Sequence, residues 1–254
     1  MLKLNKIYNV NCLDPEGMKA IPDKSIDFIL CDLPYGITRN HWDSIIPLDE
    51  LWEQYSRVIK DNGAIALTAS QPFTSILAAS NLKMFRYEWI WKKNKSTGFL
   101  NAKKMPLKQH ESVLIFYKKL PIYNPQKTTG HKPVNSFKKN TSDGTNYGKT
   151  QTGIVGGGQT DRYPTSIIEF PVVNNDSDER IHPNQKPLGL LEFLIKTYTN
   201  ENNLVLDNCM GSGATAIACI NTNRNFIGFE LEKDYYLKAT KRIEKALNEK
   251  RELK

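Results

Sequence analysis

The stretch LVLDNCMGSGATAIACINTNRNFIGFE, Leu204 to Glu230, decides the fold. Leu204 to Leu206 are apolar, and Asp207 stands where a short strand should end. A turn holding Gly211 and Gly213 follows, then the small apolar run Ala216 to Ile220, which reads as a helix. Phe226 to Phe229 form a second apolar run, closed by Glu230. Strand, glycine turn, helix, strand is a parallel crossover unit. Such units build an α/β fold, a mostly parallel sheet with helices on both faces.

The turn also carries chemistry. Gly211-Ser212-Gly213-Ala214-Thr215-Ala216 fits the loose G-x-G-x-x-A fingerprint of dinucleotide-binding turns. A turn without side chains lets a nucleotide cofactor press against backbone and against the start of a helix. Glu230 ends the next strand, 19 positions after Gly211, where a carboxylate can accept hydrogen bonds from ribose hydroxyls. Asp207 reads either as a turn aspartate or as a carboxylate facing a cationic group of the ligand. S-adenosylmethionine offers an amino group and a sulfonium there; a nicotinamide cofactor needs no such carboxylate.

Outward from this unit, the same alternation recurs. IDFILCDL (Ile26 to Leu33) is a compact apolar run, as expected of a buried parallel strand. NCLDPEGMKAIPDKS before it has room for a short helix ending near Pro22. LDELWEQYSRVIKDNG (Leu48 to Gly63) has helical spacing, with Asn62-Gly63 as its stop. AIALTAS (Ala64 to Ser70) reads as a strand, FTSILAASNLKM as a helix, and RYEWIWKK and ESVLIFYKK as two more strands. LGLLEFLIKTYT (Leu188 to Thr199) reads as a helix after Pro187. Three zones are expected: 1–120, a middle region 121–182, and 183–254. In the middle region SIIEFPVV is the one clear strand, and the Gly/Thr/Asn/Ser-rich stretch 140–162 reads as a long mobile loop.

The chain has 254 residues and a net charge of +8, unevenly spread. From Lys83 to Lys139 there are 14 Lys plus Arg against two acids, Glu88 and Glu111, so that window is +12 and the remainder −4. A basic block on a mildly acidic body suits a polyanion such as nucleic acid, or is simply a solvated lysine-rich surface. Lys92, Lys93, Lys95, Lys103, Lys104 and Lys108 are the phosphate-contact candidates. No apolar run approaches the ~20 residues of a membrane helix, and the start MLKLNKIYNV lacks a signal-peptide core. Cys12, Cys31, Cys209 and Cys219 have no metal-ligand spacing, nor have the four histidines. Reduced thiols, a cytoplasmic location and no metal site are therefore expected.

The strand at Ile26 runs into Asp32-Leu33-Pro34-Tyr35-Gly36. In an open α/β sheet, ligands bind outside the carboxyl ends of the strands, which puts this turn at the rim. Pro34 removes one donor and leaves nearby carbonyls free, and Asp32 supplies another acceptor. Two acceptors beside the Tyr35 ring form a receptor for a planar group bearing an amine; a plain Pro-Tyr turn capped by Asp32 is the other reading. Thr68 and Ser70, at a strand end, are candidates for the pocket wall, and Trp89 and Trp91 for the core.

Together, DLPYG and LDNCMGSGAT resemble the catalytic and cofactor motifs of the amino-group DNA methyltransferases, whose usual forms are Asp-Pro-Pro-Tyr and Asp-Pro-Phe-x-Gly-Ser-Gly-Thr-Thr. The catalytic motif comes first by about 175 residues, which is similar to the beta subgroup, with target recognition between the two. HPNQKP (His182 to Pro187) looks like that subgroup's lead into the cofactor motif, and FIGFELEKDYY like its following strand and acid. The resemblance covers roughly 1–120 and 182–245. It departs at Leu33, a position that contributes a backbone carbonyl, and at Asn208, Cys209, Ala214 and Asn11.

The resemblance implies a Rossmann-like S-adenosylmethionine-dependent methyltransferase fold with a variable target-recognition insertion. It implies methyl transfer to the N6 amine of adenine in double-stranded DNA, with the base rotated out of the stack. Asp32 with the Leu33 or Pro34 carbonyl would accept the amine's N–H groups, and Tyr35 would stack on the base. Asp32, Lys186, Asp207, Gly211, Ser212, Gly213, Thr215 and Glu230 would meet the cofactor. Cytosine N4 is the alternative target. RNA or a protein amide are lesser ones, as are a nicotinamide-dependent dehydrogenase and a non-catalytic nucleic-acid-binding module. A homodimer and a cognate restriction endonuclease are partners that the resemblance admits.

Overall fold

The computed structural model describes residues 2–36, 43–139, 153–174, 181–182 and 184–252. Its main sheet has eight strands in the order β1-β10-β9-β2-β3-β5-β4-β8. These are β1 (Lys6–Tyr8), β2 (Ile26–Asp32), β3 (Ile59–Ala69), β4 (Phe85–Thr97), β5 (Lys108–Phe116), β8 (Ile167–Glu169), β9 (Leu204–Asp207) and β10 (Asn225–Phe229). Two further strands, β6 (Phe137–Lys139) and β7 (Ile154–Gly156), pair with each other. Five α-helices are described: α1 (Leu48–Val58), α2 (Phe73–Ser80), α3 (Leu188–Tyr198), α4 (Ala214–Asn221) and α5 (Lys233–Glu252). The sheet is parallel except where β5 runs against both β3 and β4.

Side-chain alternation sorts the central strands into two layers. Phe28 and Leu30 of β2, with Ala64 and Ala66 of β3, face a core made with α3, α4 and α5. Ile29 and Cys31, with Ile65 and Leu67, face the opposite core with α1 and α2. Both faces are dry, so β2 reads as an unbroken apolar run instead of an alternating one. Each of the larger buried side chains here, Phe28, Ile29, Leu30, Ile65 and Leu67, contributes about 1.5–3 kcal/mol of transfer free energy. Trp89 and Trp91 are core residues, as expected, at 4% and 2% exposure. Their indole N–H groups are satisfied by the Tyr198 hydroxyl at 2.7 Å and the Phe170 carbonyl at 2.8 Å.

Several local expectations are corrected. The helix of Leu48 to Gly63 stops at Val58, and β3 begins at Ile59, before the Asn62-Gly63 pair. Register shifts from Ile26↔Ile59 to Phe28↔Ala64, so residues 60–63 form a bulge in β3. A Cβ at Gly63 would sit 2.7 Å from Ile59 Cδ1 and 2.8 Å from the Asp27 carbonyl, so the bulge needs glycine. The helix before β2 is only a 3-10 turn, Met18–Ala20. In the middle region, β6 and β7 were not foreseen; their pairing is carried by a few residues in a Gly-rich setting that gives no alternation to read.

The chain divides into two compact units, one of Met1–Asn124 with Ser166–Lys254, the other of Pro125–Thr165. The smaller unit holds the β6–β7 pair and an isolated bridge between Thr128 and Arg162. The Arg162 guanidinium ties it internally by donating to the carbonyls of Gln159, Asp161 and Lys132. Of the expected mobile loop, residues 140–152 lie outside the described residues. No helix among the described residues is long and apolar enough to cross a membrane.

Candidate active site

Strands β2 and β9 are parallel neighbours, with Phe28 opposite Val205 and Ile29 opposite Leu206. Asp32 and Asp207 therefore emerge at the same edge of the sheet from adjacent strands. Both line one cavity of about 770 Å³, together with Tyr35, Lys186, Gly211, Ser212, Thr215 and Glu230. Leu33 and Pro34 line it as well; Gly213 is the one expected cofactor residue that does not. A volume of this size is ordinary for a small-molecule site.

The glycine turn is built around two αL residues, Gly211 at φ +51° and Gly213 at φ +76°. A Cβ at Gly211 would meet nothing nearer than the Cys209 carbonyl at 3.9 Å, so that side of the turn is open. At Gly213 a Cβ would press on Ala239 at 3.2 Å and Ile243 at 3.3 Å, so this glycine serves the packing of α5 under the turn. Glu230 braces the turn: one carboxylate oxygen accepts the Gly211 N–H at 2.7 Å, and the other the Glu232 N–H at 2.8 Å. Burial raises its pKa against those two backbone bonds. Asp207 is buried, accepts the Cys209 N–H at 3.0 Å, and is pushed up to about 6 by desolvation. Asn208 accepts from the buried Tyr55 hydroxyl, so its place in the motif is held by packing. Asn11, also on the cavity wall, spends its side-chain oxygen on the Leu13 N–H at 3.0 Å.

The DLPYG turn is pinned by Asp43, whose Oδ1 accepts the N–H groups of Tyr35 at 2.8 Å and Gly36 at 2.9 Å. Leu33 is buried in the core, 4% exposed, and also lines the cavity. Asp32 Oδ1 accepts from the Tyr35 hydroxyl at 2.8 Å and from the Thr68 hydroxyl. The Tyr35 ring itself lies on Phe73, with centroids 5.5 Å apart. Burial and the Asp32 charge hold the Tyr35 phenol well above its usual pKa, so it stays a neutral donor.

Lys186 is buried, and its ammonium pairs with two carboxylates of the chain: Asp32 Oδ2 at 2.5 Å and Glu111 Oε2 at 3.5 Å. Lys93 pairs with Glu111 Oε1 at 2.5 Å and, with Lys108, lines the cavity. Burial lowers the Lys108 ammonium. Of the other basic candidates, Lys92 pairs with Glu169 at 2.7 Å, Lys95 donates to Asn174 at 2.9 Å, and Lys103 and Lys104 are exposed. The sequence reading missed Asp43, Glu111 and the inward turn of Lys93. The one available signal was that Glu111 is one of only two acids in the basic window. No metal-binding cluster occurs among the described residues.

This arrangement defines a class: an α/β protein whose glycine turn and DLPYG turn share one cavity at a sheet edge. Comparison with known proteins gives the family. The sequence profile of the DNA methylases (N6_N4_Mtase) matches residues 26–241, and the chain belongs to that family. It is 30% identical to the Type II methyltransferase M.BglII of Bacillus subtilis, over 91% of this chain and 67% of that protein. It is 28% identical to the DNA adenine methyltransferase YhdJ of Escherichia coli, over 90% and 80% respectively. The crystal structure of the M1.HpyAVI–SAM complex superposes with TM-score 0.63 at 25% identity, covering 93% of this chain and 98% of that one. The cytosine-N4-specific PvuII methyltransferase shares the fold, with TM-score 0.68 at 13% identity over 96% and 92%. The chain is an S-adenosylmethionine-dependent DNA methyltransferase of the adenine-N6 or cytosine-N4 kind, built on a Rossmann-like sheet.

The residues present suit that cofactor. Two buried carboxylates, Asp207 and Glu230, lie beside a turn left open at Gly211, in a cavity that also reaches Asp32.

Proposed function

We propose that the chain methylates the N6 amine of adenine in double-stranded DNA, acting on a base rotated out of the duplex. The observation that carries the reading is the shared cavity: Asp32 lines the same space as Gly211 and Glu230, so one bound cofactor can reach both turns. The name of YhdJ as a DNA adenine methyltransferase and the aspartate form of the DLPYG motif favour adenine over cytosine N4.

S-adenosylmethionine supplies an electrophilic methyl group on a sulfonium. Asp207 offers a carboxylate to the ligand's cationic groups, Glu230 accepts from ribose hydroxyls, and Gly211 and Ser212 wall the space the ligand fills. Asp32 and the Leu33 or Pro34 carbonyl accept the two N–H groups of the target amine. That holds the nitrogen's lone pair away from conjugation with the ring, and placement does most of the work. Tyr35 and Thr68 hold Asp32 in one orientation through hydrogen bonds to Oδ1. Tyr35 also stacks on the target base. Proton release follows attack, so no histidine base is needed. Lys103 and Lys104, exposed between β4 and β5, contact phosphates, and Lys92 and Lys95 flank them. The unit Pro125–Thr165 contributes to target recognition. Action as a homodimer, and pairing with a restriction endonuclease, are extensions of the same reading.

Asp32→Ala tests it. Methyl transfer to DNA should fall below detection, while S-adenosylmethionine binding by calorimetry stays within about threefold. An active variant removes Asp32 from the mechanism. Methylation-aware sequencing of DNA from cells expressing the chain reports the base and its site together; N4-methylcytosine there would select the other target.

A further inference from the structure

Two acids and two lysines form a largely buried chain of charges in the cavity, with Lys186 at its centre. Lys186 Nζ is 2.5 Å from Asp32 Oδ2 and 3.5 Å from Glu111 Oε2, and Lys93 Nζ is 2.5 Å from Glu111 Oε1. Side-chain exposure is 9% for Lys186 and 13% for Glu111. Glu111 Oε2 is buried without a hydrogen-bond partner among the described residues. A buried carboxylate oxygen is costly to leave in that state, and the Lys186 ammonium stands at the outer limit of hydrogen-bond range, 3.5 Å away.

The chemistry gives that oxygen a use. Methyl transfer to an amine puts positive charge on the amine nitrogen. An ammonium held against the receiving carboxylate opposes this twice, by neutralising Asp32 and by repelling the new cation. Before the amine arrives, the same ammonium is favourable, because it neutralises a partly buried acid. We propose that Glu111 is a positioning residue that takes Lys186 from Asp32 as the target amine enters, unmasking the Asp32 charge only then.

The geometry supports each part of the exchange. Lys93 fixes Oε1 of Glu111, leaving Oε2 toward Lys186. Carrying Nζ from 2.5 Å to beyond hydrogen-bond range of Asp32 Oδ2, and from 3.5 Å to about 2.8 Å of Glu111 Oε2, needs a swing of the Lys186 side chain of roughly 1–2 Å. Tyr35 and Thr68 keep hold of Asp32 Oδ1 while Oδ2 is vacated. Both partners stay charged. Burial pushes the Glu111 carboxyl up, but Lys186 and Lys93 outweigh it and hold the pKa low. Burial pulls the Lys186 ammonium down, but Asp32 and Glu111 outweigh it and hold the pKa high.

The inference rests on Asp32 as the amine receptor. It is tested by a double-mutant cycle on the full chain, with single-turnover methyl transfer to DNA at saturating S-adenosylmethionine. Glu111→Gln should slow transfer by about tenfold or more with S-adenosylmethionine affinity unchanged, because Lys186 then stays on Asp32. In a Lys186→Met background the same change should cost less than about threefold, since there is no ammonium left to move. If Gln at 111 lowers the melting temperature, Glu111→Asp replaces it in the cycle, withdrawing the acceptor by one methylene. A full-rate Glu111→Gln, an equal cost in both backgrounds, or a Lys186→Met enzyme with no transfer would each overturn the exchange. An active Asp32→Ala would overturn the receptor reading itself; an inactive Asp32→Ala beside a full-rate Glu111→Gln overturns only the exchange.

Discussion

Asp207 shows how burial at one residue sets a pH response. Desolvation pushes its pKa up to about 6 from a reference of 3.8. The folded state therefore binds this proton more tightly than the unfolded chain does. Ligand-free stability is highest below the unfolded value and falls as pH rises from about 4 to about 6, after which this contribution is flat. The shift corresponds to roughly 3 kcal/mol. Asp207→Asn should thus raise the ligand-free melting temperature at pH 8 and leave it nearly unchanged at pH 4. A cationic ligand needs the ionised form, so S-adenosylmethionine affinity should weaken as pH drops below about 6, by up to about tenfold per unit. Calorimetric titration across pH 5 to 8 checks this, and Asp207→Asn should show a weak, flat profile. At the same scale, the Asp32→Ala outcome separates catalysis from cofactor binding, since Asp32 and Asp207 stand on different strands.

Among the elements, what was legible in the sequence is what repeats. β2, β9 and β10 are short apolar runs closed by Asp32, Asp207 and Glu230, and each closing acid marks the sheet edge that carries the site. The glycine turn before α4 was legible for the same reason: its residue types admit few other conformations. The start of β3 was not, because Asn62-Gly63 serves equally as a helix stop and as a bulge, and only the neighbouring Asp27 carbonyl decides between them. Glu111 was not legible either. It reaches the cavity because β5 runs antiparallel beside β3, bringing its first residues to the edge where the parallel strands end. No local pattern encodes that. Gly213 gives the element-scale test. Its αL conformation and its contact with Ala239 and Ile243 make Gly213→Ala destabilising by about 1–3 kcal/mol in urea unfolding, with the loss arising where α5 packs against the turn.

Over the whole molecule, the +12 window is not one surface. Lys93 is turned inward against Glu111, whereas Lys103 and Lys104 are exposed. DNA affinity measured against salt concentration should separate them. Lys103→Ala and Lys104→Ala should each lower the slope of log K on log salt by about 1. Lys93→Ala should leave the slope unchanged and instead slow methyl transfer. The sheet order has one more consequence. β1 lies at the edge of the sheet, and its neighbour there is β10, more than two hundred residues later in the chain. During synthesis the first strand must wait on the order of ten to forty seconds before its partner leaves the ribosome. The nascent chain thus carries this strand unpaired until the distant β10 has been made.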